Sequence, residues 1–266
     1  MHEKHASIAV GPDSPTHLSV LGVRIANMSQ PEAIETMEAA INAEDGRSRA
    51  LYIVNAHTLN LGHEDPSYRR VLNSGNLVFG DGTGVRWAGR VQGVTMRANL
   101  VGTDLVPELF RTTAGRGYRY FLLGATAETI ALAAREAEKR FPGWELAGHH
   151  HGYVIEDSAD AIERINAAAP HVLLVGMGNP LQERWIHDHL HELRVPLSVG
   201  VGGLFDHWGG NLSRAPGWIR HLGVEWLQIL LQQPHKWRRY LLGNWQFVAR
   251  MLRTAAPQPV AGPSTR

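Results

Sequence analysis

The sequence predicts an α/β fold: a Rossmann-like, mostly parallel sheet with helices on both faces, plus a C-terminal helical appendage. Three observations predict it. Five apolar runs of strand length, Leu51–Val54, Leu77–Phe79, Tyr118–Leu123, Val172–Val175 and Leu197–Val201, punctuate the chain. Amphipathic stretches of helical length lie between them. Continuous apolar runs belong to strands buried on both faces, as in parallel sheets covered by helices. After Val201 this rhythm stops, and a glycine-rich turn region leads into a basic, Trp-rich end.

Composition bounds the reading. At 266 residues, 44% hydrophobic and 19% charged, the chain can bury a large core and is neither disordered nor fibrous. A net charge of +1 carries no global signal for nucleic acid. The absence of cysteine excludes disulfides, thiolate metal sites and a cysteine nucleophile. Met1–Ser14 has no apolar signal-peptide core, and no apolar run approaches the ~18 residues of a simple membrane span.

Taken in order, residues 1–16 read as a flexible tail. His17–Ile25 alternates weakly, as a strand or hairpin. Ser29 and Glu32 form a capping box around Pro31, which predicts a helix to about Ala43. Further helical patterns cover Pro66–Asn73, Asp104–Ala114, Glu128–Arg140, Ala159–Ala168 and Leu181–Arg194. The α/β core is thus expected over 17–212, an appendage over 213–253 and a second flexible tail over 254–266.

The appendage holds two helical patterns, Val224–Gln232 and Lys236–Leu252, separated at Pro234. Arg214–Arg253 carries seven basic residues and one acid, and four of the eight tryptophans, which leaves the remainder of the chain at −5. On a helical wheel Trp237, Tyr240, Leu241, Trp245, Phe247, Val248, Met251 and Leu252 share one arc. Lys236, Arg239, Arg250 and Arg253 lie opposite. Such a helix either packs on its own domain or lies at an anionic membrane surface.

Ligands of open α/β sheets bind beyond the carboxyl ends of the strands. There the sequence places Asn55-Ala56-His57-Thr58, Gly80-Asp81-Gly82-Thr83-Gly84, Gly124-Ala125-Thr126, Gly176-Met177-Gly178-Asn179-Pro180 and Gly202-Gly203. Glycines let a backbone approach a ligand, and helix N-termini offer free N–H groups to phosphate, so a nucleotide-type pocket is expected. Asp81 is either a general base in that cleft or a turn and N-cap aspartate. Asn55 could equally bond its own turn, and Gln182 and Glu183 could be solvated first-turn residues. His149-His150-His151 cannot all ligate one ion from a strand, because neighbours face opposite sides. No zinc signature, Asp-x-Asp pair, Walker loop or serine-nucleophile elbow is present, and neither a metal nor another cofactor is expected.

These residues resemble the WecG/TagA/CpsF glycosyltransferase family. The resemblance runs through Val54–Asn60, Asp81–Val85, Gly102–Leu105, Phe121–Gly124, Gly176–Glu183, Gly200–Asp206, Arg214-Ala215-Pro216, Gly223–Trp226 and Arg238-Arg239-Tyr240, in order, over about residues 20 to 245. It implies an inverting transferase using a UDP-sugar donor and a sugar acceptor on a polyprenyl diphosphate, working peripherally at the cytoplasmic face of the cell membrane. It puts Asp81 in the catalytic-base position and Asn55 and Gln182 in the pocket. Thr83, Asn99, Gly124, Gly176, Gly178 and Gly202 are read with them as substrate-binding. Arg214, Lys236, Arg238 and Arg239 are the expected grip on the acceptor diphosphate and the anionic membrane. The chain departs from the family at Ile53, where Thr is frequent, and at Asn99, where Arg is frequent. The wording Asn99–Asp104 is similar to the GumM-like branch of exopolysaccharide synthesis. A homo-oligomer is compatible with the sequence, and nucleic acid is not an expected partner.

Two other classes fit parts of the pattern. A nicotinamide-dependent, NAD(P)-using oxidoreductase fits the sheet, but the Gly176 turn lacks the third glycine of the dinucleotide fingerprint. A non-catalytic membrane adaptor fits the basic end and leaves the ligand-type turns without a purpose.

Overall fold

The computed structural model describes residues 16–155, 157–213, 225–232, 237 and 241–255. Within them an eight-stranded sheet runs in the order β1-β2-β4-β3-β8-β7-β5-β6. The strands are β1 (Thr16–Val20), β2 (Val23–Asn27), β3 (Arg49–Val54), β4 (Leu77–Gly80), β5 (Arg119–Gly124), β6 (Glu145–His150), β7 (Val172–Gly176) and β8 (Leu197–Gly200). β1 and β2 form an antiparallel hairpin, and every other pairing is parallel.

The helices among the described residues are α1 (Gln30–Ile41), α2 (Ala56–Glu64), α3 (Pro66–Ser74), α4 (Gly82–Val91), α5 (Gly102–Thr112), α6 (Ala127–Arg140), α7 (Ala159–Ala168), α8 (Leu181–His189), α9 (Leu204–Trp208), α10 (Glu225–Gln232) and α11 (Gly243–Ala255). Strand alternation sorts the core into two layers. Leu51 and Ile53 of β3 pack with α1, α5, α6 and α9. Ala50, Tyr52 and Val54 pack with α2, α3, α4, α7, α8 and α11 on the other face. The doubly wound architecture expected from the apolar runs is therefore present, with the helical C-terminal element.

Local chemistry explains where helices begin. The Ser29–Glu32 capping box forms in full and opens α1. Asn55 opens α2, Asp65 with Pro66 opens α3, and Thr126 opens α6, each through its own side chain. Expected boundaries shift in places. α8 ends at His189 rather than Arg194, and the turn that follows is closed by the His189 carbonyl, which accepts from the N–H groups of Glu192 and Leu193. The chain turns there, buries Leu193 and Val195, and enters β8.

Four elements are additions to the expected set, among them α9, which lies where the sequence reads as a glycine-rich turn region. β6 is an edge strand whose side chains are only partly covered, so it shows no apolar run. α2 and α4 grow directly out of turns that read as ligand loops.

The final helix corrects the single-arc picture. Phe247 and Met251 are buried and join the core, whereas Trp245 is 75% and Leu252 55% exposed. Arg250, expected on a solvent-facing cationic side, instead reaches Oδ1 of Asn60 at 2.8 Å and Glu64 at 2.6 Å. One side of α11 thus packs on α2 and α4, while another carries uncovered apolar side chains. Among the described residues no helix is long and apolar enough to cross a membrane.

Candidate functional site

A cleft of about 1420 Å³ opens at the carboxyl ends of the central strands. Asn55, Asp81, Thr83, Asn99, Gly176, Gly178, Gln182 and Gly202 all line it. Eight expected residues, spread over nearly 150 positions of chain, therefore share one cavity. α11 closes one side with Asn244, Phe247 and Val248. Tyr153 and Ile155, from the segment after β6, rim the other side and are themselves exposed.

Asp81 follows β4 directly. Its backbone N–H donates to the Val54 carbonyl at 2.8 Å, which fixes the turn between β4 and α4 beside the end of β3. Although Asp81 stands at the N-cap of α4, its carboxylate makes no capping bond. The first N–H of that helix, Gly82, donates instead to Oδ1 of Asn99 at 2.7 Å. Asp81 therefore makes no capping bond and lines the cavity wall, while Asn99 satisfies the first N–H of α4. Asn99 lines the cavity while its oxygen is engaged with the protein backbone.

Asn55 behaves as a strand-end residue that bonds its own turn. Its Oδ1 accepts from the N–H groups of His57 at 3.0 Å and Thr58 at 3.2 Å. The residue lines the cavity while it starts α2.

Gln182 and Glu183 are not solvated. They are 1% and 0% exposed. Gln182 Oε1 accepts from Gly178 N–H at 3.3 Å and Gly202 N–H at 3.0 Å, bridging the turns after β7 and β8. Both glycines have positive φ, +83° and +57°, which a residue with a Cβ adopts only with strain. Glu183 lies beneath, accepting from Gln182 Nε2, Asn179 Nδ2 and the Tyr68 hydroxyl. Burial pushes the Glu183 carboxyl up, while the donors from Gln182, Tyr68 and Asn179 pull it down, and the net shift is upward. Burial, with the neighbouring Glu183 charge, likewise drives the Tyr68 hydroxyl well above its ordinary value.

Gly124 is the expected site residue that the structure removes from the cavity surface. A Cβ there would lie 2.3 Å from the Gly176 carbonyl oxygen. Its lack of a side chain serves the close approach of β5 to β7, and Ala125 and Thr126 line the cleft in its place. Arg214, Lys236, Arg238 and Arg239 lie outside the described residues. Asp206 and His57 line the cavity as well, from the starts of α9 and α2, in segments that follow legible strands. Tyr153 gives no such signal, because it follows a strand without an apolar run. Among the described residues no three His, Asp or Glu side chains gather closely enough to hold a metal ion.

Comparison with known proteins identifies the family. The sequence profile described as the glycosyl transferase WecG/TagA/CpsF family matches residues 18–260. A protein of Bacillus spizizenii strain W23 is 33% identical over 198 residues, 73% of this chain and 76% of the relative. A Bacillus subtilis strain 168 protein is 33% identical over 178 residues, 67% and 69% of the two chains. A Staphylococcus aureus strain MW2 protein is 28% identical over 222 residues, 84% and 86% of the two chains. All three are named N-acetylglucosaminyldiphosphoundecaprenol N-acetyl-beta-D-mannosaminyltransferase.

Proposed function

We propose, because this chain belongs to the WecG/TagA/CpsF family of glycosyl transferases, that it moves a hexose or N-acetylhexosamine from a UDP-sugar to a sugar carried on a polyprenyl diphosphate. The names of the relatives support a lipid-diphosphate acceptor and make N-acetylmannosamine the first donor sugar to test. The product would be an intermediate of a cell-surface polymer or exopolysaccharide. No observation favours the dinucleotide oxidoreductase or the adaptor over a glycosyl transferase.

The observation that carries the reading is the placement of Asp81. It lines the cavity wall, and its carboxylate makes no capping bond to α4. In an inverting transfer, Asp81 takes the proton of the acceptor hydroxyl as that oxygen attacks the anomeric carbon. The new glycosidic bond forms as the bond to the UDP oxygen breaks on the opposite face. The leaving diphosphate gains negative charge, which the turns after β7 and β8 can stabilise without reorganisation through peptide N–H groups other than those of Gly178 and Gly202, which Gln182 holds. The donor then occupies the glycine-turn side, and the acceptor approaches between Asp81 and α11.

The acceptor's lipid requires a membrane surface. Leu231, Trp237, Leu241, Leu242, Trp245 and Leu252 are all exposed, an apolar display on the C-terminal segment that supports docking there. Basic residues near an anionic leaflet add about 1 kcal/mol each. These features support a peripheral position on the cytoplasmic face, where UDP-sugars and lipid diphosphates meet.

The test is a transfer assay with a panel of UDP-sugars and a short-chain lipid-diphosphate N-acetylglucosamine acceptor, with and without EDTA. Wild-type protein should turn over one donor in both conditions. Asp81→Asn should lose about 10²- to 10⁴-fold in kcat while remaining folded. Near-normal turnover by the variant would remove Asp81 from its role, and no transfer with any donor would overturn the function.

A further inference from the structure

We propose that Glu183 is a positioning residue for the donor, holding two cavity-lining amides in the one orientation that shapes the diphosphate cradle. The proposal rests on the donor placement given above and goes beyond it, because Glu183 does not line the cleft.

Donor and acceptor polarity fixes how the two amides are turned. A side-chain amide has a donating end and an accepting end, and the two are not interchangeable in a buried site. Gln182 is held at both ends. Its Nε2 donates to Glu183 Oε1 at 2.7 Å. Its Oε1 accepts from Gly178 N–H at 3.3 Å and Gly202 N–H at 3.0 Å. Turned over, the amide would set its NH₂ against two backbone donors and its oxygen against a carboxylate. The carboxylate is therefore what makes the observed orientation the stable one. Asn179, the neighbouring cavity residue, donates from Nδ2 to the same Oε1 at 2.6 Å. From the far side Tyr68 of α3 donates to Oε2 at 2.8 Å. Every partner donates, and a carboxylate is the one side-chain group of this shape that only accepts. The result is a rigid link from α3, through Glu183 and Gln182, to the turns after β7 and β8.

The Gly178 and Gly202 N–H groups are consumed by this link. What it leaves for a ligand is a fixed spacing between the two turns. A diphosphate spanning them depends on that spacing, whereas a nucleoside without phosphates does not.

Glu183→Met tests this, since it keeps the length of the side chain and removes both acceptor oxygens. Gln182 and Asn179 then lose the group that orients them. Binding of UDP by calorimetry and of uridine by NMR titration is measured for wild type and variant. We expect UDP affinity to fall about tenfold or more and uridine affinity to stay within twofold. Tyr68→Phe is the control for simple destabilisation: it removes one bond to Glu183 but leaves both amides held, so UDP affinity should stay within twofold even as the melting temperature drops. Should Glu183→Met not fold, Glu183→Asp withdraws the acceptor by one methylene and reads the same split. Equal losses for UDP and uridine, no loss for either, or a UDP loss in Tyr68→Phe matching that of Glu183→Met would each overturn the proposal. Failure of the wild type to bind UDP would instead overturn the donor assignment on which it stands.

Discussion

Asn60→Ala should loosen α11 without unfolding the sheet. Asn60 is 4% exposed, and its side chain is the main polar fastening between α2 and the last helix. Its Nδ2 donates to the Gly243 carbonyl at 2.7 Å, and its Oδ1 accepts from Arg250 Nη1 at 2.8 Å. A neutral buried hydrogen bond contributes about 1 kcal/mol and one to a charged partner about 1.5–3 kcal/mol. Part survives the substitution, because Arg250 keeps its 3.3 Å contact with the Asn60 backbone carbonyl and its 2.6 Å contact with Glu64. The expected net loss is about 2–3 kcal/mol. That corresponds to roughly a 30- to 150-fold rise in the opening equilibrium of the helix. Native-state hydrogen exchange reads it directly: amides of 243–255 should exchange faster by that factor, with β3 and β8 unchanged. Transfer activity should fall as well, since Asn244, Phe247 and Val248 wall the cleft. Acceleration below threefold, or an equal acceleration in the central strands, would refute the idea that α11 is a separately fastened element.

Two further outcomes follow from other parts of the molecule. Ser29→Ala removes the capping-box hydroxyl of α1 and should cost about 1 kcal/mol, or roughly 2–3 °C in melting temperature; an unchanged melting point would show that Pro31 and the first turn suffice. His171 accepts the Arg119 N–H at 3.0 Å and is held below its ordinary value of 6.5 by burial and then by the Arg119 charge. The unfolded chain therefore takes up that proton first, so this contribution is complete above 6.5 and is lost as pH falls toward the lower folded value. Urea midpoints at neutral and mildly acidic pH should drop less steeply for His171→Gln than for wild type, and parallel slopes would exclude His171 as a source of acid sensitivity.

Strands buried on both faces announce themselves, so β3, β4, β5, β7 and β8 are legible as apolar runs. β6 is not, because an edge strand ending Gly148-His149-His150 buries too little to need one. α2 and α4 are hidden for another reason: their first residues, Asn55 to His57 and Gly82 to Gly84, double as cavity wall. The rim of the cleft is readable as turns after strands, and that reading brings Asn55, Asp81 and Gln182 together correctly. The division of labour within it is not readable. Asn99 caps α4 from 17 positions downstream of Gly82, and Tyr68 meets Glu183 across 115 positions. Periodicity carries no trace of such pairings. The helical wheel of the last segment fails similarly: it shows which residues share an arc but not that α2 and α4 cover only part of it, leaving Trp245 outside.

The sheet order has a consequence for how the protein comes to exist. β3 pairs on one side with β8, Leu51 facing Val199. During synthesis the central strand must wait for a partner made nearly 150 residues later, about 7–30 s at ordinary elongation rates. Until then β3 presents an open hydrogen-bonding edge lined with apolar side chains, next to a cleft whose far wall has not been made. A ribosome that stalls between β4 and β7 would therefore leave a half-sheet prone to pair with other nascent chains.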